Sequence, residues 1–277
     1  MPTATPVLAS IIFFAGIVAG GLGALLGLGG GIFLVPFLNL VFNFPISSAA
    51  AISLTTVIAT SSSVSAGRTG KQLINMRLGM LLEVVTAAGS LMGGITAQLL
   101  DQSTVQRLFG VTAMLVAVIM MTRLKRRNVI LDESIDPGQL GGAYFEDESG
   151  CVVKYRVKRL PVAIAASFVA GNVSSLLGIG GGIIKVPVLN AWCGVPLRAA
   201  AATSAFMIGV TATAGAIIYY GKGQIVPVLA AAAVLGVQVG SWGGMRVGQR
   251  ASALWLKALM AGILVVVSAL MFVRAAH

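Results

Sequence analysis

Two glycine-rich stretches are the parts of this chain whose residue types and spacing could do chemistry. Positions 27–39 read Gly-Leu-Gly-Gly-Gly-Ile-Phe-Leu-Val-Pro-Phe-Leu-Asn, and positions 178–190 read Gly-Ile-Gly-Gly-Gly-Ile-Ile-Lys-Val-Pro-Val-Leu-Asn. A run of three glycines breaks a helix. In hydrocarbon, broken backbone is tolerated only where protein buries it or it lines a cavity. A helix restarting at Ile32 or Ile183 has first-turn amides with no helical partner. Gly29, Gly30 and Gly31, and likewise Gly180, Gly181 and Gly182, leave those amides uncovered by side chains. With the helix dipole this makes a cradle for an anion. Tight helix packing is the other use of small residues in membranes, and it suits the spaced pairs Gly16/Gly20 and Gly236/Gly240. A dinucleotide loop at Gly21-Leu22-Gly23-Ala24-Leu25-Leu26-Gly27 is excluded, because no strand precedes it and no acidic partner follows.

Few side chains join this chemistry. Lys185 stands three positions past the second glycine run, where the first has Leu34. A lysine in mid-membrane is costly, about 2.5–3.5 kcal/mol on an insertion scale. It therefore either faces the anion cradle or snorkels to a membrane surface. Glu83 is the only acid inside an apolar span, and Val234 is its counterpart. Proton coupling is one use for it; an ion pair facing the cytoplasm, six residues beyond Arg77, is the favoured one. Thr55, in the hydroxyl-rich stretch with Ser53 and Thr56, and Ser204 beside Thr203 are candidate donors to a substrate. Asn39 and Asn190 are expected to cap or cross-link helices. Cys151 and Cys193 are isolated and the one histidine is His277, so no metal site, cofactor or histidine-based catalysis is expected.

These residues must be positioned by membrane helices. Hydrophobic residues make up 57% of the chain, charged residues 10%, and mean hydropathy is +0.95. A soluble domain carries about 25% charged residues. Apolar runs of spanning length occupy 7–26, 78–100, 105–124, 160–177, 199–219, 226–245 and 254–273. Nothing alternates as a β-barrel would require. The net charge of +11 sits at span ends and in loops, where it marks topology and not nucleic acid. The first span lacks a basic leader region and is expected to be mature structure, not a signal peptide.

The glycine motifs belong to a duplication with a constant offset of 151. Pro45 matches Pro196, Ser53 matches Ser204, Gly70-Lys71 matches Gly221-Lys222, Gly89-Ser90 matches Gly240-Ser241, and Arg123 matches Arg274. The fold expected is an all-α polytopic membrane protein with two tandem homologous halves. Each half has four long helices plus a short half-helix, at 32–42 and 183–192. The first transmembrane repeat covers 1–124, a cytoplasmic linker 125–158 and the second repeat 159–277. Alternation between Tyr144 and Val157, around Ser149-Gly150, predicts a hairpin in the linker. Arg68, Lys71 and Arg77 place one junction in the cytoplasm, and Asp101-Gln102 places the next outside. In the second half the basic residues, Arg246 and Arg250, sit at the other junction. This switch favours inverted repeats with five segments each; four segments each would make the halves parallel.

The doubled motif, with Val35-Pro36 and Val186-Pro187 and the small residues before each run, resembles the TauE/SafE (sulfite exporter, TSUP) family of bacterial membrane transporters over nearly the whole chain. That resemblance implies a non-enzymatic carrier for sulfite, an organosulfonate or a related small anion, in the bacterial inner membrane. The leading reading is a secondary transporter, an exporter, that holds its anion between two glycine-initiated half-helices and works by alternating access. An anion channel and a non-catalytic scaffold stay open as rivals. Expected partners are the small anion, the lipid bilayer and, as an open option, further copies of the chain; nucleic acid is not one. An inside-negative potential drives anion export, at about 2.3 kcal/mol per charge per 100 mV. Import would require a coupling ion, for which Glu83 is the candidate.

Overall fold

The computed structural model describes residues 5–26, 30–66, 73–122, 136–146, 151–248 and 253–276. Gly27, Gly29, Arg68, Lys71, Arg123 and Arg250, with stretches 125–135 and 147–150 of the linker, lie outside the described residues. The first half holds α1 (Pro6–Leu26), α2 (Gly31–Phe42), α3 (Ile46–Ala66), α4 (Met76–Leu99) and α5 (Gln102–Thr122). The linker holds β1 (Gly142–Glu146) and β2 (Cys151–Tyr155). The second half holds α6 (Leu160–Leu177), α7 (Gly182–Ala191), α8 (Leu197–Gly221), α9 (Pro227–Gly248) and α10 (Ala253–Ala276). Among the described residues, seven helices are long and apolar enough to cross a membrane. Large apolar side chains such as Phe14, Val84, Leu99, Ile217 and Trp242 face outward, as a lipid-facing surface requires.

The helix α3 is missing from the apolar runs because it carries many hydroxyls. The structure shows how they are tolerated. Thr55, Thr56, Thr60 and Ser62 each donate to a carbonyl three or four residues back in their own helix. That bond removes the unpaired donor which hydrocarbon would penalise.

Close backbone approach sets the helix pairing. In α1 against α9, Gly16 meets Ala233, Gly20 meets Val237, and Gly240 meets the carbonyl of Ile17. In α4 against α6, Gly89 meets the carbonyl of Phe168, Gly93 that of Asn172, and Gly171 that of Thr86. Both pairs run in the same direction, and the offset of 151 exchanges one pair for the other. The spaced glycines thus serve packing, as their positions predict. By contrast, counterpart helices meet head to tail. Ser61 of α3 donates to the carbonyl of Ala205 near the start of α8, while Ile46 at the start of α3 lies with Tyr219 near the end of α8. Arg107 near the start of α5 bonds the carbonyl of Ala275 at the end of α10, and Ser268 bonds that of Gly110.

The short helices are bounded at both ends by local sequence. Asn43, left-handed at φ 56°, caps α2 by donating to Leu38, and Pro45 follows. Asn39 Nδ2 donates to the carbonyl of Phe44 at 2.8 Å, and Asn190 Nδ2 to that of Val195 at 3.0 Å. Both asparagines therefore tie the end of a half-helix to the chain leaving it. Because Gln106 at the start of α5 also bonds Asn39, α2 returns to the face where α3 and α5 begin. From α2 to α5, each helix of the first half reverses the direction of the one before.

The expected hairpin forms, antiparallel, with Gly142 opposite Tyr155 and Glu146 opposite Cys151. Alternation puts Phe145 and Val152 outward, while Tyr144, Val153 and Tyr155 are buried on Leu78, Leu82, Leu189 and Met207. Asn75 fixes the dock: its side chain caps α4 at Leu78 and donates to the carbonyl of Leu140 and to the hydroxyl of Tyr155. Linker, start of α4, end of α7 and start of α8 therefore share one face of the molecule.

Candidate functional site

The start of α2 and the end of α6 meet in the core. Gly178 ends α6 with φ 70°, donating its amide to Ser174, and Gly180 repeats the left-handed geometry at φ 70°. Glycine adopts that region without steric cost, so two turns reverse the chain within five residues of the end of α6. Gly31, the first residue of α2, lies directly against the carbonyl of Gly178. Ser53 of α3 closes this junction with a 2.5 Å bond to the same carbonyl.

At the start of α7 the first bond into the helix runs from the Lys185 amide to the Gly181 carbonyl, at 3.2 Å. The amides of Gly182, Ile183 and Ile184 precede it and have no helical carbonyl to bind. In α2 the corresponding first bonds run from Phe33 and Leu34 to Gly30, ahead of which stand the amides of Gly31 and Ile32. The glycines are also close-packed. A Cβ on Gly30 would lie 3.1 Å from the carbonyl oxygen of Ala19, and one on Gly181 would lie 2.9 Å from that of Ala170. The sequence reading set the glycine triplet apart from packing; the structure gives Gly30 and Gly181 a packing role alongside any other.

Lys185 does not snorkel: it is 1% exposed. Its stem folds back over the start of its own helix, 3.4 Å from where a Gly181 Cβ would stand. Its ammonium donates to Thr211 Oγ1 at 3.1 Å, and Thr211 donates to Glu83 Oε1 at 2.7 Å. Glu83 Oε2 lies 3.7 Å from the ammonium with no hydrogen-bond partner among the described residues. The expectation of a cytoplasm-facing pair near Arg77 is therefore corrected. Arg77 is exposed, whereas Glu83 is 7% exposed and turned inward to the second half. The reason is helical geometry: six residues is not a multiple of the turn, so Arg77 and Glu83 do not share a face.

The other expected residues divide. Ser204 is buried in α8 and its hydroxyl has no partner among the described residues, while its counterpart Ser53 holds the glycine junction. Thr55 is half-buried and spends its hydroxyl proton on Ile52 of its own helix. Sequence reasoning missed Thr211 and Ser175, and it placed Ser53 among possible donors to a substrate, whereas Ser53 donates to the Gly178 carbonyl. One signal was available for Thr211: at the offset of 151 it matches Thr60, so a hydroxyl recurs there. Ser175, whose hydroxyl has no partner among the described residues, packs against Gly215 beside Ser90, which bonds the carbonyl of Thr211. Together they extend a polar seam from the second break to the ion pair.

A cavity of about 220 Å³ lies on the face opposite the hairpin. Ser47, Gln98, Gln102, Leu176, Tyr219 and Gln224 line it. It reaches Leu176, two residues before Gly178, and Tyr219 on its wall donates to the carbonyl of Ser175 at 2.9 Å. Gln98 and Gln224 exchange two hydrogen bonds across it.

The chain is similar over most of its length to proteins named as probable membrane transporters. The family described as sulfite exporter TauE/SafE matches residues 12–271. The probable membrane transporter protein YunE of Bacillus subtilis strain 168 is 29% identical, over 86% of each chain. The probable membrane transporter protein MJ0441 of the archaeon Methanocaldococcus jannaschii is 24% identical, over 92% of this chain and 91% of its own. No solved structure matches. With ten helices among the described residues and a family match spanning both halves, the chain belongs to the sulfite exporter TauE/SafE family of multi-pass membrane transporters, not to an enzyme family.

Proposed function

We propose that this protein is a secondary transporter of a small sulfur-containing anion, sulfite or an organosulfonate, working as an exporter in the bacterial inner membrane. The observation that carries the reading is the buried ammonium of Lys185 laid over the amide end of α7, beside the junction of Gly31 with Gly178. Unpaired amides, a helix dipole and a desolvated cation converge there, and all three favour a negative guest. The family name supports the choice of anion.

We infer that the halves are inverted repeats. Five alternating helices per half and the head-to-tail packing of α3 on α8 and of α5 on α10 support a pseudo-two-fold axis lying in the membrane plane. Basic residues support the orientation: Arg77, Lys154, Arg156 and Arg246 all fall on the linker face, which is then cytoplasmic. The docked hairpin covers that face while the cavity opens on the other, which supports alternating access over an open pore. A thermal-shift and binding screen of sulfite, sulfate, thiosulfate and methanesulfonate on purified protein tests the reading. Stabilisation by at least one, lost in Lys185→Leu, is expected; indifference to all four anions would sink it.

A further inference from the structure

The ion pair exists in only one of the two homologous positions, and stability does not explain it. Its counterparts at the offset of 151 are Leu34 and Val234. Leu34 is buried, so the same fold accommodates an apolar solution at the equivalent place. Replacing a buried pair by packed apolar residues is often neutral or stabilising. A pair retained without that need is better explained by a moving charge.

Its geometry is half-made. One carboxylate oxygen is bonded through Thr211, while the other approaches the ammonium only to 3.7 Å and is otherwise unpartnered among the described residues. Thr211 has a single hydroxyl proton and two acceptors, Glu83 Oε1 at 2.7 Å and the carbonyl of Met207 at 3.0 Å. It can therefore release Glu83 without losing a partner. Among the described residues, other ionisable groups on the surrounding elements stand at the margins. Arg77 and Arg198 are exposed at the starts of α4 and α8, Tyr144 and Tyr155 lie in the hairpin, and Tyr219 bonds Ser175. Among the described residues, Lys185 has no second carboxylate within ion-pair distance, and Glu83 no second cation.

We propose that Glu83 is a tethered anion which must take up a proton before a substrate anion can occupy Lys185, so that one proton travels with each anion. The inference rests on the anion-transport reading and names its coupling ion. With Glu83 ionised, an incoming anion would place two negative charges against one buried ammonium, which the low-dielectric core penalises. Protonation from the aqueous phase removes one of them: the proton goes to the Glu83 carboxylate, Lys185 stays an ammonium, and the substrate takes the vacated charge. Release reverses both steps, and the empty carrier returns as the neutral Glu83–Lys185 pair. For a monovalent anion the transfer is electroneutral and follows concentration and pH gradients. For a divalent anion it carries one net negative charge, which an inside-negative potential drives outward.

The test uses the full chain in proteoliposomes with labelled methanesulfonate, which is permanently ionised and brings no proton of its own. Wild-type exchange should fall about tenfold per pH unit wherever Glu83 is mostly ionised, and net uptake should carry one proton per anion, read by an internal pH dye. Glu83→Gln should exchange at a rate independent of pH and carry no proton, and Glu83→Asp should restore both. Exchange in Glu83→Gln with unchanged pH dependence, or wild-type uptake without protons, would overturn the coupling while leaving the anion reading intact. Where Glu83→Gln does not reconstitute, the wild-type proton count decides alone. No wild-type flux of methanesulfonate, sulfite, sulfate or thiosulfate would remove the anion reading and the coupling together.

Discussion

Glu83 of the first half and Lys185 of the second face each other at 3.7 Å, bridged by the hydroxyl of Thr211, and both are nearly excluded from solvent. Two residues that break the repeat separately in sequence, against Val234 and Leu34, thus form one unit in space. At both positions the other half carries an apolar residue in place of a charge.

That difference predicts a pattern of stability. Lys185→Leu alone leaves a buried carboxylate without its cation, an error of about 3–5 kcal/mol for a buried pair. The double variant Glu83→Val with Lys185→Leu installs the residue types of the other half and should recover most of the loss. Melting temperatures in detergent should rank wild type and double variant together, above the single. The single variant should also recover as pH falls, because Glu83 can then take a proton in place of the cation. A double variant no better than Lys185→Leu would show that the two residues are not coupled.

Glycine substitutions should separate by what they face. Gly240→Ala places a Cβ on the carbonyl of Ile17 and should force α1 away from α9, lowering the yield of folded protein. Gly243→Ala, one turn on in the same helix, meets nothing within 4 Å and should be neutral or gain up to about 1 kcal/mol of helix propensity. Size-exclusion profiles of the two variants check the contrast; equal behaviour would mean that α1 does not approach α9 this closely.

Packing direction is open to cross-linking. A Gly209 Cβ would stand 3.2 Å from the Cβ of Ser61, near the separation a disulfide spans. In a background with Cys151 and Cys193 replaced by serine, Ser61→Cys with Gly209→Cys should cross-link α3 to α8 under mild oxidation. Single cysteines at Asp101 and Lys222 should then react with an impermeant maleimide from one side of the membrane, and those at Arg77 and Arg246 from the other. Labelling of Lys222 together with Arg77 would contradict inversion.

Asn75 holds the hairpin, so Asn75→Ala should loosen it. The variant loses the cap on Leu78, worth about 1 kcal/mol, together with the bonds to Leu140 and Tyr155. Trypsin should cut faster after Lys154 and Arg156 than in wild type, with the helical halves otherwise intact. An unchanged digestion pattern would assign the dock to the buried side chains alone.

Alkaline pH should act at the same place. Burial raises the Tyr155 hydroxyl above its ordinary value, with the Asn75 bond pulling partly back. A raised acid group contributes stability that is full below the unfolded value, about 10, and declines as pH rises through the folded one. Hairpin protection from trypsin should therefore fade at alkaline pH in wild type and persist further in Tyr155→Phe, measured in pulses short enough to spare the protease. Equal fading in both would place the titration elsewhere.

Much of this protein was legible in its sequence because hydrocarbon imposes simple rules. The seven apolar runs, the 151-residue offset and the half-helices at 32–42 and 183–192 follow from length, composition and repetition. So does the hairpin, from the alternation around Tyr144 and Val153. The helix α3 escaped the hydropathy pattern because its hydroxyls are paid off locally by backbone carbonyls, an exchange that composition does not display. Only tertiary structure decided the partners. Glu83 and Lys185 lie on different halves, and which face of α4 turns toward α7 depends on how Gly89 and Gly93 seat α4 against α6. The same holds for Gly31 and Gly178: sequence states that both segments are broken by glycine, but the contact between these two residues arises from the packing of the two halves. A one-dimensional pattern records what each segment can tolerate, whereas a charge pair or a junction of backbones depends on distances that only the assembled helices set.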